Sequence, residues 1–367
     1  MAGGQVLSWL PVGDLHVTRV GEPNHRDLRR IVELANALPP GSVDFVVLPG
    51  DNAEDGTPAQ FAIVRDAIAP LRLPVHILPG DHDFKPRNLD AFHAILGAKP
   101  LPLATTEQGH RCLFLDVVSA GTGGPDFRLG AEQLAWAERE LEAARAAAQP
   151  AIVFMHTYPA DLREGADRLG ALLARPDVWC VDMGHTHYNE LANDGGTIFM
   201  ATRSTGQIEE GPPGFSIAAV DGGGVSWRFK PLDRAWPFVL VTSPVDRRLV
   251  TGTNQIVDGP FVARAKVFGA ASIDKVELQV DDGEWVGMAP GAKSLWHAIL
   301  PAPGRSVRVR ARDADGRADE DRVEPAGPGW EAATRASDGS DRDRVGAWPD
   351  KGIFDTQLGP NRNGRKW

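Results

Sequence analysis

The chain has 367 residues, more than a single hydrophobic core usually organises, and 42% of them are apolar, enough for the interiors of two domains. A formal net charge of −10 excludes a bulk binder of nucleic-acid backbone, whose affinity comes from clustered Lys and Arg displacing counterions. No apolar run approaches the roughly 18 residues of a membrane span, and no basic region precedes an apolar stretch at the N-terminus. A cytoplasmic protein without membrane contact is therefore expected.

The first half alternates strand and helix patterns. Residues 6–12 read as a strand, and Leu28, Ile31, Val32, Leu34 and Leu38 then recur at helical spacing before an apolar run at 45–48. The alternation repeats with 61–68 before 75–78, 89–96 before 112–118, and 129–148 before 151–155. Repeated βα units predict a central sheet with helices on both faces. The clearest helix spans 131–147, where Leu134, Ala137, Leu141 and Ala144 form one apolar stripe. Cys112 and Cys180 each sit inside an apolar run, which predicts buried thiols and no disulfide framework.

After residues 178–183 the pattern turns to strands: 197–201, 215–220 and 225–229, the last two joined as a hairpin across a turn at 221–224. A Pro-rich stretch at 231–237 marks a boundary. Short strands without helices follow at 238–242, 261–268, 275–280, 296–300 and 306–311, the pattern of a β-sandwich. The expected units are 1–235, 236–326 and a tail, 327–367, which lacks a core of its own. The tail's Trp330, Trp348, Ile353, Phe354 and Trp367 predict that it wraps over a domain surface.

Five segments end an apolar run in groups that bind metal: Asp14 with His16, Asp51, Asp81 with His82, His156, and His185 with His187. Five of the chain's ten histidines fall there. In open α/β sheets, functional groups gather beyond the carboxyl ends of strands. Residues two apart can both turn inward from an extended loop entry, and Gly13, Gly50, Gly80 and Gly184 are expected to ease sharp turns beside them. Carboxylates and imidazoles without a thiolate suit Zn, Mn or Fe. Two cations sharing a carboxylate clamp the attacking and leaving oxygens of an in-line displacement.

The blocks Asp14-Leu-His16, Gly50-Asp51-Asn-Ala-Glu54, Gly80-Asp81-His82-Asp83, His156 and Gly184-His185-Thr-His187 resemble those of the calcineurin-like metallophosphoesterases. The resemblance covers roughly residues 5–233 and is nearest to the bacterial phosphodiesterase branch that includes cyclic-nucleotide and glycerophosphodiester hydrolases. It implies a four-layer αββα sandwich in the α/β class, with Asp14, His16 and His187 on a first metal and Asp51 between the two. Asp81, His156 and His185 would hold the second. The metals would be divalent or mixed-valence Mn, Fe or Zn. His82 would contact the substrate phosphate and protonate the leaving oxygen while metal-bound hydroxide attacks. The β-rich part resembles immunoglobulin-like domains, a surface for a protein partner or a second copy.

Two positions depart from the family pattern. Asp81 stands where Asn is usual, which adds a negative charge and favours a singly charged diester over a phosphomonoester. Glu54 stands where Asp is commoner. The expected activity is therefore hydrolysis of a small phosphodiester, with a phosphomonoesterase as the nearest alternative and a non-catalytic metal-binding sensor as the alternative of another class.

His76, His93 and His110 lie outside the blocks and read as core or surface histidines. Asn24, His25 and Arg26 suit either the substrate cleft or a helix start capped by Asn24. Arg203 reads equally as a phosphate contact or a surface ion pair. The alternating Arg and Val of 305–312 describe a half-exposed strand.

Overall fold

The structure, a computed structural model, describes residues 6–302, 304–333 and 344–354. The first unit begins with β1 (Leu7–Pro11), α1 (Pro23–Asn36), β2 (Phe45–Leu48), α2 (Pro58–Ile68) and β3 (Val75–Ile77). It continues through α3 (Asp90–Leu96), β4 (Leu103–Glu107), β5 (His110–Phe114), α4 (Ala131–Ala146), β6 (Ala151–Phe154), α5 (Ala166–Leu173) and β7 (Val178–Met183). It closes with β8 (Glu190–Asn193), β9 (Ile198–Ala201), β10 (Gly214–Asp221) and β11 (Gly224–Pro231).

These strands make two sheets, as the family resemblance implies, where the repeating pattern alone predicted one central sheet: β11-β10-β1-β2-β3 and β4-β5-β6-β7-β9-β8. Side-chain alternation explains the difference. Leu7 and Trp9 of β1, with Phe45 and Val47 of β2, face Phe114, Ile152, Phe154 and Cys180 of the second sheet. Leu10, Val46 and Leu48 turn the other way, onto Leu28 and Ile31 of α1. Strands buried on both faces read as continuous apolar runs, so the sequence does not show whether the second face meets a helix or another sheet. The predicted stripe of α4 is buried, and Cys112 and Cys180 are buried and unpaired. At the predicted hairpin, β10 and β11 pair Asp221 with Gly224 across Gly222 and Gly223, both at positive φ (59° and 94°).

The later strands are β12 (Phe238–Ser243), β13 (Phe261–Phe268), β14 (Ile273–Val280), β15 (Val286–Gly287), β16 (Ala289–Pro290) and β17 (Leu295–Leu300). Two more, β18 (Val307–Asp313) and β19 (Ala318–Val323), complete two antiparallel sheets, β12-β13-β17-β16 and β15-β14-β18-β19. Val239, Val241, Ala265, Leu278 and Val309 fill the space between them. Phe238, Leu240 and Phe268 of this sandwich share a core with Phe215, Ile217 and Ala219 of β10. Lys266 donates to the Ser8 hydroxyl at 2.8 Å in the same interface. The sandwich therefore covers β10 and β11 as the helices cover β1 to β3.

Residues 344–354 lie against β8, with the Val345 amide donating to Leu191 O at 2.9 Å. Trp348 and Ile353 are buried beside Leu191, Trp227 and Phe229. Trp330 is partly buried against the same cluster, and Trp367 lies outside the described residues. Among the described residues, no helix is long and apolar enough to cross a membrane.

Candidate metal centre

The five segments converge because β1, β2 and β3 run parallel in one sheet and β6 and β7 run parallel in the other. Asp14 and His16 follow β1, Asp51 follows β2, Asp81 and His82 follow β3, His156 follows β6, and His185 and His187 follow β7. Four of these residues take left-handed backbone conformations: His16 (φ 44°), Asp51 (51°), His185 (66°) and His187 (63°). Each costs on the order of 1–3 kcal/mol in a residue bearing a Cβ, a strain that collects at functional sites.

The neighbouring glycines act differently from one another. Gly50, at φ 128°, does supply a conformation that suits glycine. At Gly13, Gly80 and Gly184 the reason is crowding. A Cβ there would lie 2.3 Å from Thr202 O, 2.1 Å from Asp51 Oδ1 and 2.6 Å from Asp14 Oδ1 respectively.

Two ligand clusters form, and Asp51 belongs to both. One gathers Asp51, Asp81, His156 and His185, and the other His16, Asp51 and His82. His156 Nε2 lies 3.3 Å from Asp81 Oδ1 and 3.6 Å from Asp51 Oδ1, and His185 Nδ1 lies 3.4 Å from Asp81 Oδ1. On the other side, His16 Nε2 lies 3.7 Å from Asp51 Oδ2 and 3.1 Å from His187 Nε2. Asp14 and His187 stand just outside the tighter second cluster. Asp14 accepts the His185 amide on Oδ1 at 3.2 Å, and its Oδ2 is buried with no hydrogen-bond partner.

Neighbouring groups aim these ligands. His156 Nδ1 bonds to Pro49 O at 3.0 Å, which leaves Nε2 for the cluster. His16 Nδ1 bonds to Glu54 at 3.0 Å with the same effect. Glu54 also accepts from Gln207 (2.8 Å) and Lys85 (3.1 Å), so this departure from the family pattern is a hub that fixes His16. Asp83, fully buried, takes amide bonds from Asn52, Ala53 and Gly80 and ties the Asp51 loop to the Asp81 loop. Phe127 packs edge-on against His185, with ring centroids 4.8 Å apart. His82 donates its amide to Asp51 Oδ1 at 2.9 Å, and its Nδ1 bonds to Glu54 O at 2.9 Å. Its side chain stays 22% exposed, so the ring stands at the rim.

Three carboxylates, Asp14, Asp51 and Asp81, dominate the electrostatics of the site. Burial opposes a charge on His156, yet Asp51, Asp81 and Asp14 outweigh it and raise its pKa to about 10. Burial likewise opposes ionisation of Asp81, but its bonds to His156 and His185 hold it well below the usual carboxylate range. Burial and the His16, His185 and His156 rings push His187 down to about 4 against the pull of Asp14. Binding of a metal by an imidazole nitrogen displaces any proton that nitrogen carries. The donor set fits two cations: a shared carboxylate, an unpartnered buried oxygen on Asp14, and two ring nitrogens spaced as ligands of one ion are, about 3 Å apart for bonds of roughly 2 Å.

Four other residues singled out in the sequence have structural roles. Asn24 does not cap α1, whose N-cap is Glu22; its side chain donates to Leu15 O (3.0 Å) and His16 O (2.7 Å), bracing the first metal loop. Arg203 is neither a phosphate contact nor a surface ion pair. It is fully buried over Phe229 and donates to Glu210 O and Gly352 O. His76 stacks on Phe114 and His110 packs against Trp179, as non-site histidines. The roles of Asp83, Asn52 and Asn189 were missed. Asp83 and Asn52 had a signal in the sequence, since both lie inside the blocks quoted above; Asn189 had none.

Residues 10–189 match the calcineurin-like phosphoesterase family. That segment, just under half of the chain, is similar to calcineurin-like phosphoesterase domains. The chain is 31% identical over 159 residues to glycerophosphodiester phosphodiesterase GpdQ of Enterobacter lignolyticus, which covers 39% of this chain and 56% of that protein. It is 31% identical over 173 residues to the 3',5'-cyclic adenosine monophosphate phosphodiesterase CpdA of Escherichia coli, covering 44% and 61%. The chain thus spans about three fifths of the length of these relatives. The crystal structure of a dimetal phosphatase from Danio rerio shares the fold, at TM-score 0.51 and 14% identity, over 62% of this chain and 96% of that one.

Proposed function

We propose that the chain is a metal-dependent phosphoester hydrolase with two metal positions, acting on a small phosphodiester of the cyclic-nucleotide or glycerophosphodiester kind. The carrying observation is Asp51, whose Oδ1 faces His156 and whose Oδ2 faces His16, so that one carboxylate serves both ligand clusters. Asp14, His16 and His187 would hold one ion, and Asp81, His156 and His185 the other. Bound divalent Mn, Fe or Zn supplies Lewis-acid polarisation of phosphoryl oxygen and acidifies water.

The chain's own contribution is placement. Asp51 sets the spacing of the two positions and also fixes the His82 amide. With Nδ1 held by Glu54 O, His82 presents Nε2 at the rim, placed to donate a hydrogen bond to a phosphoryl oxygen and a proton to the departing oxygen. The sandwich, which we read as immunoglobulin-like, buries one face on the phosphoesterase domain and leaves the rest for a partner.

Charge favours the diester. The carboxylates of Asp14, Asp51 and Asp81 contribute three negative charges against four positive from two divalent ions, a surplus of one that a monoanionic diester matches. Asn at 81 would raise the surplus to two and favour a dianionic monoester. The printed activities of GpdQ and CpdA support the same class. The experiment compares bis(p-nitrophenyl) phosphate with p-nitrophenyl phosphate, using wild type and Asp81→Asn. Wild type should prefer the diester, and the variant should shift the ratio toward the monoester. A wild type that prefers the monoester would overturn the diester reading. Full metal loading with no hydrolysis of any diester would instead support the sensor module.

A further inference from the structure

We infer that the C-terminal segment 344–354 is a strap that sets the affinity of one metal position far more than the other, acting through Arg203 and Asn189 as positioning residues. This rests on the two-position reading above. The structure supplies a continuous path. Gly352 O accepts from Asn189 Nδ2 at 2.9 Å and from Arg203 Nη2 at 2.5 Å. Asn189 stands two residues beyond His187, and its Oδ1 accepts the Arg203 amide at 2.8 Å.

The chain leaving Arg203 then wraps the first loop. The Ser204 amide donates to His187 O at 3.4 Å, and its hydroxyl to Asp14 O at 2.8 Å. The Thr205 and Gly206 amides donate to the same Asp14 carbonyl at 3.1 and 3.0 Å. Gln207 reaches Glu54, the carboxylate that orients His16. Asp14, His16 and His187 are thus all braced by the segment that Arg203 anchors.

The strap holds that anchor by burial. Trp348 and Ile353 insert into the core between the sheets, Lys351 pairs with the buried Asp321, and the Arg203 guanidinium lies between Phe229 and Phe354 at 4.2 and 5.0 Å. Asn24 and the His16 amide also hold the first loop, but its contact with 202–207 is close: a Cβ on Gly13 would strike Thr202 and Arg203 carbonyls, and His16 and His187 are in left-handed conformations. A small shift of the 202–207 segment therefore moves Asp14, His16 and His187 together.

The other position is braced elsewhere. His156 is held by Pro49 O, His185 by Phe127, and the Asp81 loop by Asp83. The halves share Asp51 and an edge through the His185 amide on Asp14, and neither is bonded to Arg203 or Gly352, so the second position should feel the strap weakly.

The test is equilibrium Mn²⁺ titration of the full chain, with fold checked by circular dichroism. Arg203→Met keeps the apolar stem and removes the donors to Gly352 and Glu210. Trp348→Ala loosens the strap far from any ligand and serves as the second variant should the first unfold. Each is combined with His185→Ala, which leaves the first position, and with His187→Ala, which leaves the second. The strap variants should weaken the remaining ion at least tenfold in the His185→Ala background and less than threefold in the His187→Ala background. Arg203→Lys, which retains a donor toward Gly352, should recover part of the loss. Equal weakening in both backgrounds would overturn the inference, as would none in either. A wild type that binds fewer than two ions would instead count against the two-position reading.

Discussion

Gly80→Ala puts one methyl group where the two clusters meet. Its Cβ would lie 2.1 Å from Asp51 Oδ1, 2.4 Å from the Asp51 amide nitrogen and 2.7 Å from His156 Cε1. Ordinary contact is roughly 3.5 Å, so the shortfall is more than 1 Å. Rotating the carboxylate away does not remove the clash, because the Asp51 backbone nitrogen is also far inside contact distance and Asp51 O is fixed by the His16 amide at 2.8 Å. The Asp51 loop must move, and with it the His82 amide bonded to Oδ1. A displacement near 1 Å at reacting groups costs about 100-fold in rate, and overpacking costs about 1–3 kcal/mol of stability. Metal content by elemental analysis, diester turnover and thermal melting measure the three effects on one preparation. Gly287→Ala, where nothing lies within 4 Å of the added Cβ, is the control and should stay within about 0.5 kcal/mol of wild type. Wild-type metal content and turnover in Gly80→Ala would refute the packing argument and the shared role of Asp51.

Asp51→Asn should lose metal and activity together, since one side chain serves both clusters; retention of two ions per chain by elemental analysis would contradict that. His82→Ala should keep both ions and lose about 10²–10⁴ in kcat, measured with the diester at saturating metal. Asp182, fully buried between the sheets against Trp9 Nε1, has its pKa raised by burial from 3.8 to about 7. The folded state therefore holds a proton that the unfolded chain has released, so stability is full below pH 4 and falls as pH rises through about 7, by about 4 kcal/mol. Urea unfolding of metal-free protein at pH 5 and pH 8 should show this slope in wild type and a flatter one in Asp182→Asn; equal slopes would remove the argument.

Much of the site was legible in the sequence because its chemistry is carried by residue type and order. Asp14, His16, Asp51, Asp81, His82, His156, His185 and His187 each follow a strand, and parallel strands deliver their carboxyl ends to one rim. The pairing of sheets came only from the family resemblance and not from the local pattern, because Leu7 and Trp9 face another sheet while Leu10 faces a helix, and all three are simply apolar. Strands β4 and β8 went unread for a related reason: Leu-Ala-Thr-Thr-Glu and Glu-Leu-Ala-Asn carry too little apolar periodicity to stand out.

By itself the sequence determined which groups are available for chemistry and where the chain turns. Only the tertiary structure decided which of them meet, since contacts between residues as distant as Gly352 and Arg203, or Ser204 and Asp14, leave no local pattern. It also decided what Gly80 and Gly184 are for. A glycine that serves a turn and one that makes room for a carboxylate look the same in a sequence, and they differ only in what a methyl group would strike.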